Sequence, residues 1–280
     1  MALDPLITPA ELAEALGAPD LRVVDASWFL DGRDAQAAFR TAHIPTAVFF
    51  DIEAVSDRSS PLPHMLPPPE TFAQAAGQLG IASTDRIVVY DQAGLFSAAR
   101  VWWSFRAMGA PDVQVLDGGL PRWRADGHPV AAGTPQPRPA VFKPRFHPAL
   151  VRDFNAVAAA LRAGSEQVAD ARSAHRFRGE APEPRPGVRS GHMPGSKSLP
   201  YDAVLNPDGT LKPAETMRRV FAEAGLDIDR PTTVSCGSGV TAPILALALA
   251  RLGRWDTAVY DGSWADWGSR PDAEIVTGPG

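Results

Sequence analysis

The one cysteine of this 280-residue chain, Cys236, opens the run Cys236-Gly237-Ser238-Gly239-Val240-Thr241. That run joins a β-prone stretch, Thr232-Thr233-Val234-Ser235, to an apolar, helix-prone one. Gly237 and Gly239 let the backbone turn tightly, so successive amide N–H groups can face the sulfur. The positive end of the following helix adds to that field. Both effects favour thiolate over thiol, and the thiolate is the nucleophile. A persulfide on the same sulfur is also anionic at neutral pH and would sit in the same cradle.

Without that setting, a lone cysteine is a small buried hydrophobe. Being alone, it excludes an intramolecular disulfide and any multi-cysteine metal site. The six histidines are scattered, with no pair at metal-ligand spacing, so neither metal nor other cofactor is expected. A Cys-x5-Arg phosphatase loop needs arginine at position 242, where Ala242 stands. The net charge of −5 gives no basic footprint for nucleic acid. The longest apolar run, Ile244 to Ala250, is too short to span a bilayer. Thr8-Pro9-Ala10-Glu11 predicts a capped helix start instead of a targeting segment. A soluble cytoplasmic protein without nucleic-acid or membrane partners is expected.

The elements that must position the cysteine are written twice. Val23-Val24-Asp25-Ala26 matches Val168-Ala169-Asp170-Ala171, and Ala42-His43-Ile44-Pro45 matches Gly191-His192-Met193-Pro194. Ile87-Val88-Val89-Tyr90-Asp91 matches Thr232-Thr233-Val234-Ser235-Cys236, and Leu116-Asp117-Gly118-Gly119 matches Tyr260-Asp261-Gly262-Ser263. Asp25 lies 66 positions before Asp91, and Asp170 lies 66 before Cys236. Repeats of this size are domains and not solenoid units. The expected division is 1–130, a Pro-rich linker 131–148, and 149–280. In the second half, Asp153 caps a helix through Leu161, and Pro213 opens another that ends near Gly225. A third helix runs through Leu252. Gln167–Asp170, Thr232–Ser235 and Ala258–Tyr260 read as strands. Strands separated by helices predict an α/β fold with a parallel sheet flanked by helices in each half. Ligands of such sheets sit at the carboxyl ends of strands, where Cys236 falls.

The run Cys-Gly-Ser-Gly-Val-Thr-Ala resembles the active-site loop of the 3-mercaptopyruvate sulfurtransferases, tandem rhodanese-domain proteins with the cysteine in the C-terminal domain. The similarity extends to Asp25-Ala26-Ser27-Trp28, Arg176-Phe177-Arg178-Gly179, Gly191-His192-Met193-Pro194-Gly195 and Tyr260-Asp261-Gly262-Ser263-Trp264. It implies two tandem rhodanese-like domains, with sulfur passing from 3-mercaptopyruvate through a Cys236 persulfide to cyanide, a small thiol or a thioredoxin-like acceptor. With no second cysteine, the acceptor thiol is external. The resemblance also implies that Arg176 and Arg185 bind the donor, and arginine suits a carboxylate beside a carbonyl. Arg178 is the neighbour that could be mistaken for the first. Gly237, Gly239, Val240 and Thr241 complete the substrate loop. By the same resemblance, Ser238, His64 and Glu53 form a Ser–His–carboxylate relay, with Glu53 replacing the family's usual aspartate. Histidine suits either proton source or base. Asp91 stands at the cysteine's place in the first half, and a carboxylate cannot carry sulfane sulfur. Thiosulfate is the rival donor, but its users carry cationic residues after the cysteine, where Gly237 and Ser238 are neutral. A non-catalytic sulfur carrier or interaction module is the remaining alternative.

Overall fold

Short apolar runs alternating with amphipathic stretches fold into ten strands, eleven α-helices and two short 3-10 helices among residues 4–280, the part of the chain that the computed structural model describes. They form two compact units. The first holds the residues up to Arg58, Leu66–His147 and Asn206–Leu211. The second holds Ser59–Met65, Pro148–Leu205 and Lys212–Gly280. Two short loops, 59–65 and 206–211, thus belong to the unit other than that of their sequence neighbours.

In the first unit, β1 (Leu6–Ile7), β2 (Leu21–Asp25), β3 (Val48–Phe49), β4 (Arg86–Tyr90) and β5 (Val113–Leu116) pair in the order β1-β5-β4-β2-β3. Around them lie α1 (Pro9–Ala15), α2 (Ala35–Thr41), α3 (Ile52–Val55), α4 (Pro69–Gln78), α5 (Ala98–Ala107) and α6 (Gly119–Ala125). In the second, β6 (Val151–Arg152), β7 (Gln167–Asp170), β8 (Lys197–Ser198), β9 (Thr232–Ser235) and β10 (Ala258–Tyr260) pair as β6-β10-β9-β7-β8. Their helices are α7 (Phe154–Ala163), α8 (Ala174–Phe177), α9 (Ala214–Glu223), α10 (Ala242–Arg251) and α11 (Ser263–Trp267). Every strand pairing is parallel, and the permutation is the same in both units. The duplication read from sequence is therefore a duplication of topology, and the α/β expectation holds in each half.

Local chemistry sets the helix starts. Thr8 and Glu11 form the reciprocal capping box expected for α1. The Asp153 carboxylate accepts the Ala156 amide at 2.8 Å and caps α7. Helix α9 buries only Met217 and Phe221 and keeps its other faces polar. Helix α10 is buried at every position from Ala242 to Ala250, which is why it is apolar all round. The first core gathers Leu12, Val23, Val88, Tyr90, Leu116 and Trp123, and the second gathers Val157, Val168, Met193, Tyr260, Trp264 and Trp267.

Residues 132–147 form neither helix nor strand, yet they are fastened to the first unit. The Ala140 amide donates to the Gly77 carbonyl at 2.9 Å, and Arg145 donates to Met108 at 2.8 Å. Phe142 packs its ring 5.6 Å from Phe72 and 5.9 Å from Phe105. Burying one such ring contributes about 1.5–3 kcal/mol, enough to hold an otherwise irregular strap in place. Among the described residues no helix is long and apolar enough to cross a membrane.

Candidate active site

Strand β9 is buried along its whole length and delivers Cys236, 2% exposed, to its carboxyl end. The loop 236–241 then turns into α10. Gly239 is the residue that makes the turn, at φ +76°, a region closed to most side chains. Gly237 is not in that region, so its reason for being glycine differs from the tight turn expected of it. A Cβ there would stand 3.0 Å from Nη2 of Arg176. The absent side chain is what lets a guanidinium lie against the cysteine loop.

Arg176 comes from the four-residue helix α8 and is aimed from behind. Its Nε donates to Glu183 Oε1 at 3.2 Å, and its Nη2 donates to Glu183 Oε2. Glu183, its side chain 3% exposed, also accepts Arg172 Nη1 at 2.8 Å. The fully buried Arg172 pairs with Asp170 at 2.6 Å, donates to the Gly191 carbonyl at 2.8 Å and stacks on Trp264 at 4.1 Å. An ionic chain, Asp170–Arg172–Glu183–Arg176, thus runs from the end of β7 to the cysteine loop. Buried charge of this kind is tolerable only because every member is paired. Burial alone would lower the Arg172 pKa, but Asp170 and Glu183 more than offset it, and the net shift is upward.

Arg178 is fastened elsewhere. Its guanidinium pairs with the exposed Glu180 at 2.8 Å, and together with His175 it holds that carboxyl down to about 2. Arg185 is half-buried, and its side chain makes no hydrogen bond or ion pair among the described residues. His64 is 3% exposed, takes φ +59°, and lies in the segment Ser59–Met65 that packs with the second unit. Ser238 is 7% exposed, and its hydroxyl makes no hydrogen bond among the described residues. Glu53 lies on α3 of the first unit, where its Oε1 accepts the Trp28 indole N–H at 2.9 Å. Val240 is buried, and Thr241 takes the N-cap position of α10 without a side-chain capping bond.

Turn β10–α11 holds the cysteine's backbone. Trp264 N–H donates to the Cys236 carbonyl at 2.9 Å, Ala265 N–H to Gly237 at 2.9 Å, and Cys236 N–H to Ser263 Oγ at 3.1 Å. At the start of α10 Pro243 has no N–H and the Ile244 amide donates to the Thr241 carbonyl at 3.1 Å, so Ala242 is the amide that the helix start leaves for an anion. Cys236 thus stands between the end of β9 and the N-terminus of α10, with one guanidinium against the next residue, Gly237. That arrangement suits a nucleophile that becomes a persulfide. Arg172, Glu183 and Ser263 were not singled out from sequence. The signal for Arg172 is a break in the repeat: Asp25-Ala26-Ser27 becomes Asp170-Ala171-Arg172.

Residues 8–126 and 153–270 each match the rhodanese-like domain. The chain belongs to the rhodanese family, as a tandem of two such domains. It is 43% identical to a human 3-mercaptopyruvate sulfurtransferase, over 98% of this chain and 95% of that one. It is 42% identical to a chicken thiosulfate sulfurtransferase over 94% and 92%. The crystal structure of SseA from Escherichia coli, a 3-mercaptopyruvate enzyme of the rhodanese fold, superimposes with a TM-score of 0.86 at 38% identity, covering 94% of this chain and 99% of that one. The chain is an enzyme of sulfur transfer that works through its cysteine.

Proposed function

We propose that the chain is a 3-mercaptopyruvate sulfurtransferase in which Cys236 carries the sulfur and Arg176 and Arg185 hold the donor. The observation that carries this reading is the guanidinium of Arg176 lying against Gly237, the residue that follows the nucleophile. Overall identity separates the donors little, since the relatives named for each are 43% and 42% identical. The loop does: Gly237 and Ser238 bring no cation to a thiosulfate dianion, whereas an arginine fork matches a carboxylate.

In the first half-reaction the Cys236 thiolate attacks the donor sulfur. The Cys236–sulfur bond forms as the carbon–sulfur bond breaks, and the carbon leaves as the enolate of pyruvate. A proton, equivalent to that of the donor thiol, ends on the new methyl group, and a persulfide anion remains on Cys236. In the second, an external thiolate or cyanide attacks the outer sulfur and restores the Cys236 thiolate. The cradle of amides serves both anions and needs no rearrangement between them. We assign proton delivery to His64 and Ser238, with Glu53 as the carboxylate of the relay. Gly239, Val240 and Thr241 shape the loop around the donor. The physiological acceptor we propose is a small thiol or a thioredoxin-like protein, with the cytoplasm as the compartment.

The test is cyanolysis with 3-mercaptopyruvate and thiosulfate side by side, together with mass spectrometry after donor treatment without acceptor. The wild type should gain one sulfur on the Cys236 peptide and prefer 3-mercaptopyruvate, and Cys236→Ser should lose turnover with either donor. Equal use of thiosulfate would reject the donor assignment, and turnover in the serine variant would reject the nucleophile.

A further inference from the structure

The residue that opens α11, Ser263, is fully buried and holds a left-handed backbone at φ +50°. Only three non-glycine residues have positive φ among those described, and a Cβ makes that conformation unfavourable. A non-glycine residue kept there is worth an explanation. The first unit shows what the fold itself requires. Its counterpart is Gly119, also left-handed at φ +56°, where a Cβ would meet the Asp91 carbonyl oxygen at 2.4 Å and the Gly94 carbonyl oxygen at 2.6 Å. Glycine is thus the residue the turn prefers, and in the cysteine-free unit it is the residue present.

In the cysteine-bearing unit a side chain fits and is used. Ser263 Oγ donates to the Tyr260 carbonyl at 2.8 Å and accepts the Cys236 amide at 3.1 Å. The next residue, Trp264, holds the Cys236 carbonyl. Both peptide groups flanking the nucleophile's Cα are therefore fixed by consecutive residues of one turn. The hydroxyl has a single orientation open to it, because its proton is committed to Tyr260 and its lone pair to Cys236. Without the hydroxyl the buried Cys236 amide loses this acceptor, and the Ser235–Cys236 peptide is then held only at its other end, where the Ser235 carbonyl accepts the Ala171 amide at 2.7 Å. Rotation of that peptide swings the Cβ–Sγ vector away from the amides of the α10 N-terminus.

We infer that Ser263 is a positioning residue of the sulfur-transfer reaction, holding the Cys236 peptide so that the sulfur stays aimed into its amide cradle. This rests on Cys236 as the sulfur carrier, and it goes beyond that reading by naming what fixes the carrier's direction. It is from this left-handed conformation that the hydroxyl reaches the Cys236 amide.

Two substitutions separate this role from a structural one. Ser263→Gly removes the hydroxyl together with the backbone strain and installs the first unit's own residue, so the fold should hold. Ser263→Ala keeps the Cβ and removes only the oxygen, and it serves if glycine loosens the turn. In both, kcat with 3-mercaptopyruvate should fall about ten- to hundredfold with KM changed less than about threefold, the scale expected when a reacting atom is misdirected. The pH profile of iodoacetamide alkylation, which reads Cys236 without turnover, should shift to higher pH. A folded variant with the wild-type alkylation profile and kcat would overturn the inference. Because alkylation depends on the cysteine alone, that outcome is distinct from failure of the donor or nucleophile assignments.

Discussion

The loop after β4 and the loop after β9 occupy the same place in two copies of one fold, and they treat it differently. In the first, Asp91 turns its carboxylate back into its own loop. It accepts the amides of Ala93 at 2.9 Å, Phe96 at 2.7 Å, and Ser97 and Ala98 at 2.8 Å. The cradle is built, and it is filled from within. In the second, Cys236 stands at the strand end, and its loop reaches the first helical residue, Ala242, one position sooner than Asp91 reaches Ala98. The topology therefore supplies an anion-binding turn in both units. Which residue ends the strand decides whether that turn is occupied by a side chain or serves chemistry. Asp91 also marks the amides that an anion would meet in the second loop: those nearest the start of α10, at Val240, Thr241 and Ala242 by position.

The largest effect expected from this comparison lies in the cysteine-free loop. Asp91→Ala removes a carboxylate that satisfies four amides, and buried donors left without partners cost about 1–3 kcal/mol each, less than additively. A loss of about 3 kcal/mol or more in denaturant unfolding is expected for the first unit. Added inorganic sulfate should restore part of it, beyond its effect on the wild type, because an emptied cradle becomes a ligand site that stabilises the folded state by mass action. Wild-type stability without sulfate would show that the carboxylate does not hold this loop together.

In the cysteine-bearing loop the anion comes from outside, and the matching effect is on catalysis. Arg176→Ala removes the guanidinium on Gly237 and should lower kcat/KM for 3-mercaptopyruvate about ten- to more than hundredfold, the worth of one charge-assisted hydrogen bond. Arg178→Ala should change it little, since Arg178 spends its charge on Glu180. Glu183→Gln should fall between them, because it weakens the brace and leaves the guanidinium present. The opposite order for Arg176 and Arg178 would mean that the motif had been carried onto the wrong arginine.

The repeats, the parallel α/β sheets and the strand limits Gln167–Asp170, Thr232–Ser235 and Ala258–Tyr260 were legible because each leaves a local trace: periodicity, a cap or a matched word. The cysteine's place at a strand end followed from the same pattern. The brace behind Arg176 was not legible. Ion pairs leave no period, and Glu183 looks like any acidic residue on a Pro-rich surface loop. Only the change from Ser27 to Arg172 within an otherwise faithful repeat hinted at a buried charge. Glycine roles were also hidden: Gly239 answers to backbone conformation, Gly237 to the room an arginine needs. Hydrogen bonds within a proposed relay are beyond motif reading altogether, since a motif names the residues and not their partners.

The smallest expected effect concerns two stacked histidines that mark the same corner of each unit. His43 stacks on Phe39 at 4.2 Å, with Nδ1 2.8 Å from the Phe39 carbonyl. His192 stacks on Phe177 at 3.8 Å, with Nδ1 2.8 Å from the Phe177 carbonyl, and so ties its loop to α8, which carries Arg176. Burial disfavours the charged His192 ring and lowers its pKa, against the opposing pull of the Phe177 carbonyl and Asp170, while Arg172 adds to the lowering. A lowered pKa in the folded state means that unfolding takes up a proton first as the solution is acidified. The stability that neutral His192 contributes is thus complete above the ordinary histidine range near 6.5 and is lost as pH falls through the folded value. His192→Asn should flatten the decline in urea midpoint between pH 8 and pH 5.5 while lowering stability at pH 8 modestly. The matching His43→Asn variant removes an equivalent stack and measures what the loss of a ring alone costs. An undiminished acid decline in His192→Asn would move the titrating group away from this corner and leave the stack with a packing role only.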